Sequence, residues 1–139
     1  MKYWIILPLL LSLLLSGCDK EERTYDKKTI IGMAKKIDPQ FKDVLPESLD
    51  KGLKCSDYGE GCVSAFEVKT HMVKFAMIRF IHVEQARRVA TKLEGYYVRN
   101  WVFDNVTGEP VLEHFVKRAF NAKRGDDPQV ILVQKNRSH

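Results

Sequence analysis

Three hydropathy regimes follow one another along the chain. Trp4 to Leu15 is apolar throughout except for Pro8 and Ser12. Residues 19–28 are almost all charged or polar. From Thr29 onward, apolar positions recur at helix or strand spacing and predict folded elements. Ile30, Met33, Ala34 and Ile37 form one stripe, predicting a helix from Thr29 to about Ile37 that Asp38-Pro39 ends. Phe41, Leu45, Leu49 and Leu53 also keep helical spacing, but Pro46 interrupts them, so two short helical turns are expected. Phe66, Val68, Thr70 and Met72 alternate with Glu67, Lys69 and His71, the pattern of a strand with one covered face. The apolar phase then slips to Val73, Phe75 and Met77, which calls for a bulge or a turn near His71–Val73.

Val83 to Glu94 is the clearest helix, with Ala86, Val89, Ala90 and Leu93 on one face and Gly95 as its stop. Tyr96 to Phe103, aromatic and β-branched, reads as one strand. Asn105 to Gly108 reads as a turn. Pro110 then opens a helix that buries Leu112, Phe115, Val116, Ala119 and Phe120. Lys123 to Pro128 reads as a loop, and Val130-Ile131-Leu132-Val133 as a short strand. The order is strand–helix–strand–helix–strand, with the first strand able to fold as a hairpin. An α+β fold follows: a two-layer sandwich with a three- or four-stranded sheet, helices mainly on one face, and a short helical N-terminal region before it. The pattern is loosely similar to ferredoxin-like domains, a resemblance that implies no particular function.

The first regime has the parts of an export signal: Lys2 as a positive start, an apolar stretch too short to span a bilayer, then small residues. Leu15-Ser16-Gly17-Cys18 resembles the lipobox of bacterial lipoproteins across all four positions. That resemblance covers the signal alone. It implies cleavage before Cys18 and diacylation of its sulfur, with the new amino group open to acylation too. Each buried methylene contributes about 0.8 kcal/mol, so two or three chains anchor stably where one does not. The chain then divides into a signal peptide (1–17), a lipidated tether (18–28) and one globular domain (29–139). Asp19 resembles the residue that retains enterobacterial lipoproteins in the inner membrane, facing the periplasm. The outer membrane is the alternative location.

Removal of residues 1–17 leaves 122, enough for a single core, with 22 basic and 18 acidic side chains. So small a positive excess suits an anionic membrane surface and does not argue for nucleic acid. With Cys18 assigned to lipid, Cys55 and Cys62 remain as an even pair, separated by the turn-rich Ser56-Asp57-Tyr58-Gly59-Glu60-Gly61. An oxidising compartment predicts a structural disulfide between them.

The chain contains no phosphate loop, nucleophile elbow, H-E-x-x-H or C-x-x-C motif. His71, His82, His114 and His139 are scattered, so no catalytic residue, metal site or cofactor is expected. Two surfaces are candidates. Tyr97, Arg99, Trp101 and Phe103 would share one strand face, where Arg among aromatics suits a partner or a small envelope ligand, although core packing of that face is the favoured reading. Arg87, Arg88 and Lys92 would form a basic docking face on the Val83–Glu94 helix, a solvated helix surface being the simpler account. The expected function is non-enzymatic: a membrane-held interaction or accessory module of the cell envelope, with an envelope protein as partner. A binder of lipid or a cell-wall fragment is the alternative, and a periplasmic enzyme the remaining one.

Overall fold

In the computed structural model, which describes residues 22–127, Asp26 ends the polar run by capping a helix. Its carboxylate accepts from the Thr29 amide at 2.6 Å, satisfying an amide that the first turn leaves without an intrahelical partner. Helix α1 (Lys27–Ile37) therefore starts two residues before the expected Thr29, and it buries Ile30 and Ala34. The two helical turns expected over Phe41–Leu53 are only partly present. Lys42–Val44 is a strand, β1, followed by short 3-10 turns at Leu49–Lys51 and Cys55–Asp57. The spacing misled because Phe41 is buried in the core (1% exposed) while Leu45 is 85% exposed.

The phase slip at His71–Val73 is a two-residue hairpin. Strands β2 (Cys62–Thr70) and β3 (Val73–Phe80) pair antiparallel, with Thr70 opposite Val73. His71 and Met72 take φ of 47° and 68°, the left-handed pair that a type I′ turn demands. A second hairpin breaks the single strand expected over Tyr96–Phe103. β4 (Tyr96–Val98) and β5 (Trp101–Asp104) flank a turn at Arg99–Asn100, Arg99 having φ of 50°. Between the hairpins lies α2 (Val83–Leu93), and after β5 comes α3 (Pro110–Phe120) with Pro110 in its first turn. The left-handed residue that ends α2 is Glu94, not Gly95, whose amide closes onto the Ala90 carbonyl at 2.8 Å. Lys123–Arg124, expected as loop, pairs with β4 as β6. The strand expected at Val130–Val133 lies outside the described residues.

The protein is α+β, with six antiparallel strands in the order β1-β2-β3-β5-β4-β6 rather than three or four. Two helical crossovers run through this sheet. β3 and β4 are parallel across β5, and β5 and β6 are parallel across β4. Both crossovers step the same way across the sheet, yet they start from strands of opposite direction. Right-handed connections then place α2 and α3 on opposite faces. Side-chain alternation agrees. Phe75, Met77, Trp101 and Phe103 join the cluster covered by α1 and α3, whereas Ala76, Ile78, Phe80 and Val102 join the cluster with Ala86 and Ala90 of α2. α1 and α3 share one face and α2 covers the other, so the two helices of the strand–helix–strand–helix–strand run, expected mainly on one face, lie on opposite faces.

Aromatic packing dominates the larger cluster. Phe103 and Phe120 stack at 4.7 Å, and Phe75 and Phe115 meet edge to face at 6.1 Å. On the α2 face, the loop closed by the Cys55–Cys62 disulfide lies beside the helix. Gly61 is required there: it has φ of 86°, and a Cβ would fall 2.2 Å from the Gln85 side chain.

Candidate functional site

The residues Tyr97, Arg99, Trp101 and Phe103 do not form a surface. The turn at Arg99–Asn100 reverses the chain, so the alternation that would align them is broken. Trp101 and Phe103 are fully buried in the larger cluster. Tyr97 lies half-buried on the α2 side, opposite Val102, and burial raises its phenol pKa. Arg99 sits on the turn itself. Core packing therefore accounts for the aromatic strand.

What the turn does receive is the N-terminal segment. Residues 22–28 belong to the stretch expected to be a tether, and the structure holds them against the domain at several points. Tyr25 donates its amide to Asn100 Oδ1 at 2.8 Å and accepts from Trp101 Nε1 at 2.9 Å. The Arg99 guanidinium covers the Tyr25 ring at 4.8 Å and reaches the Arg23 carbonyl at 3.4 Å. Asn100, 1% exposed, also donates Nδ2 to the Phe80 carbonyl, and its own carbonyl accepts from the Phe80 amide. One buried asparagine thus joins the N-terminal strap (residues 22–26), the β4–β5 turn and the end of β3.

The strap has a second attachment at the start of α2. The Glu22 carboxylate meets His82 Nδ1 at 2.9 Å and accepts from the Val83 amide. These contacts, first the His82 ring and then the amide, hold the Glu22 pKa below the usual carboxylate range. A carboxylate also suits the positive end of the α2 dipole. Gln85 completes this end by accepting from the His82 amide at 3.0 Å. Sequence reasoning missed this site. The available signals were Tyr25, the lone aromatic among charged residues 19–28, and Asn100 between aromatic strands.

The basic residues of α2 are also divided. Arg87 turns onto Glu84, with its side chain only 12% exposed. Arg88 and Lys92 instead line a depression of about 250 Å³ with Tyr58, Glu60 and Gln85. Tyr58 closes its inner side by donating to Asp104 at 3.3 Å; burial, then the Asp104 charge, pushes its pKa up to about 12, so the phenol stays neutral. Open depressions of about 610 Å³ beside Tyr96 and Lys117 and about 420 Å³ beside Leu45 and Phe66 lie elsewhere on the surface.

His71 packs edge-on to Phe115 at 6.2 Å. Among the described residues, no group of three or more His, Cys, Asp or Glu could hold a metal ion. No helix among them is long and apolar enough to cross a membrane.

No protein-family model, curated protein or solved structure matches the chain. Residue chemistry and geometry therefore carry the functional reading.

Proposed function

We propose that the protein is a membrane-anchored lipoprotein of the bacterial periplasm that works as a non-enzymatic interaction or accessory module of the cell envelope. Cys18 carries the lipid, Asp19 keeps the protein in the inner membrane, and the partner is an envelope protein. The observation that carries this reading is the division of the three cysteines. Cys55 and Cys62 are bonded to each other, with Cα atoms 5.3 Å apart, which suits an oxidising compartment. That leaves Cys18 in the one position where Leu15-Ser16-Gly17 precedes a cysteine.

At the finer level of fold, the run β3-α2-β4-β5-α3-β6 keeps the element order of a ferredoxin-like domain. The sheet packed against α1 and α3 supports the two-layer description, with α2 of the same run lying on the second face. We keep the ferredoxin-like likeness as a matter of element order alone, with no functional consequence.

Cys18→Ser tests the anchor directly. The wild type is expected in the membrane fraction, cleaved and labelled by fatty acid, and the variant is expected unlabelled and unprocessed. A variant that is processed normally and still pellets with membranes would overturn the reading. Crosslinking in intact cells then tests the accessory role, which predicts a reproducible envelope-protein adduct.

A further inference from the structure

We infer that the end of the domain built from the strap, the β4–β5 turn and the β3–α2 junction lies on the headgroups of the anchoring membrane and binds anionic phospholipid. The inference rests on lipidation of Cys18. Its first support is covalent reach. Four residue steps separate Cys18 from Glu22, at most about 14 Å when fully extended. Glu22 is then held at the α2 N-terminus and Tyr25 at Asn100, so the path from lipid to domain enters at this end. A free tether over residues 18–28 would let any face approach the bilayer; the docked strap removes most of that freedom.

The second support is the chemistry gathered there. Ile81, at the junction between β3 and α2, is 56% exposed, and Val63, in the β2 bulge, is 51% exposed. They belong to the same sheet end, since the Ile81 amide bonds the Gly61 carbonyl at 2.9 Å. Arg23 is exposed on the strap and Arg99 half-exposed on the turn. Arg79, paired in register with Trp101 near the same end, is half-buried with its charge facing Asp26. The strap's own acidic groups are engaged: Glu22 with His82 and the Val83 amide, Asp26 with the Thr29 amide. Exposed β-branched side chains beside guanidinium groups match the boundary between acyl chains and phosphate. Each basic residue close to an anionic leaflet strengthens attraction roughly fivefold. Charges at the far end, near His71 and Gly108, lie beyond the screening length of about 8 Å and gain little.

The orientation is readable by nuclear magnetic resonance on the mature lipidated protein in nanodiscs. The discs contain phosphatidylcholine with one quarter phosphatidylglycerol and a trace of headgroup-nitroxide lipid. Amides of Val63, Ile81, His82 and Arg99 are expected to be attenuated several-fold more than those of His71, Met72 and Gly108. Arg23→Glu, whose side chain makes no described contact needed by the fold, is expected to reduce that attenuation several-fold. Lys36→Glu, at the opposite end of α1, is expected to leave it unchanged. Equal attenuation at both ends, or attenuation centred on His71, overturns the orientation while the lipoprotein reading stands. Indifference to Arg23→Glu overturns anionic-lipid binding. A protein that elutes apart from the discs overturns both this inference and the lipidated anchor beneath it.

Discussion

Asn100 shows how much organisation one small polar side chain can impose. Its amide group faces the strap on one side and β3 on the other, in a place that water does not reach. Asn100→Ala leaves the Tyr25 amide and the Phe80 carbonyl without these partners. Unsatisfied buried groups cost about 1–3 kcal/mol, and chemical denaturation of the variant is expected to show a loss of that size. Asp38 plays a similar part at the other end of α1. Burial alone would raise its pKa, but the Thr70 hydroxyl at 2.7 Å and the Gln40 and His71 amides together hold it below the usual carboxylate value. The folded state therefore binds the Asp38 proton less readily than the unfolded chain does. Its contribution to stability is complete above the unfolded pKa of about 3.9 and is lost as pH falls through the lower folded value. The stability difference between wild type and Asp38→Asn is expected to be largest at neutral pH and to shrink below about pH 4. A constant difference down to acid pH would remove Asp38 from that role.

At the scale of elements, the turns decide more than the strands. Residues 66–72 have a clear alternation, and its slip marks a defect, but only backbone geometry distinguishes a hairpin from a bulge. His71 and Met72 lack the Asn-Gly chemistry that announces a type I′ turn. The same applies to Arg99–Asn100, where no glycine marks the reversal and an unbroken aromatic strand was expected. Met72 has φ of 68° and is 81% exposed, so it carries left-handed strain with little packing in return. Met72→Gly is expected to raise stability by about 1 kcal/mol, measured by thermal unfolding at fixed concentration. An unchanged or lower midpoint would show that the Met72 side chain contributes packing which offsets the strain. Helices α2 and α3 were far more legible. Ala86 and Ala90, and Leu112, Phe115, Val116 and Phe120, are buried where helical spacing put them. A stripe covering several turns tolerates small errors of boundary, whereas a two-residue reversal leaves no periodic trace.

For the whole molecule, the decisive feature is that the polar segment after Cys18 becomes part of the domain by Glu22. Hydrogen exchange can test this directly. The Tyr25 amide, bonded to Asn100 Oδ1, is expected to exchange far more slowly than a free chain, and Asn100→Ala is expected to abolish the protection. Rapid exchange in the wild type would restore the free-tether reading. Composition suggested a tether because charged side chains cannot form a core; it could not show that backbone groups of the same residues complete a buried hydrogen-bond network. The sequence by itself determined the Leu15–Cys18 run that resembles a lipobox, the cysteine pairing that the structure contains, the α+β class, and the amphipathic helices, because each is written in local spacing. Only the tertiary structure decided the six-stranded order, the division of helices between two faces, the burial of Trp101 and Phe103, and the docking of the strap. Those depend on strand direction and on partners up to 76 residues away, and no local pattern encodes either.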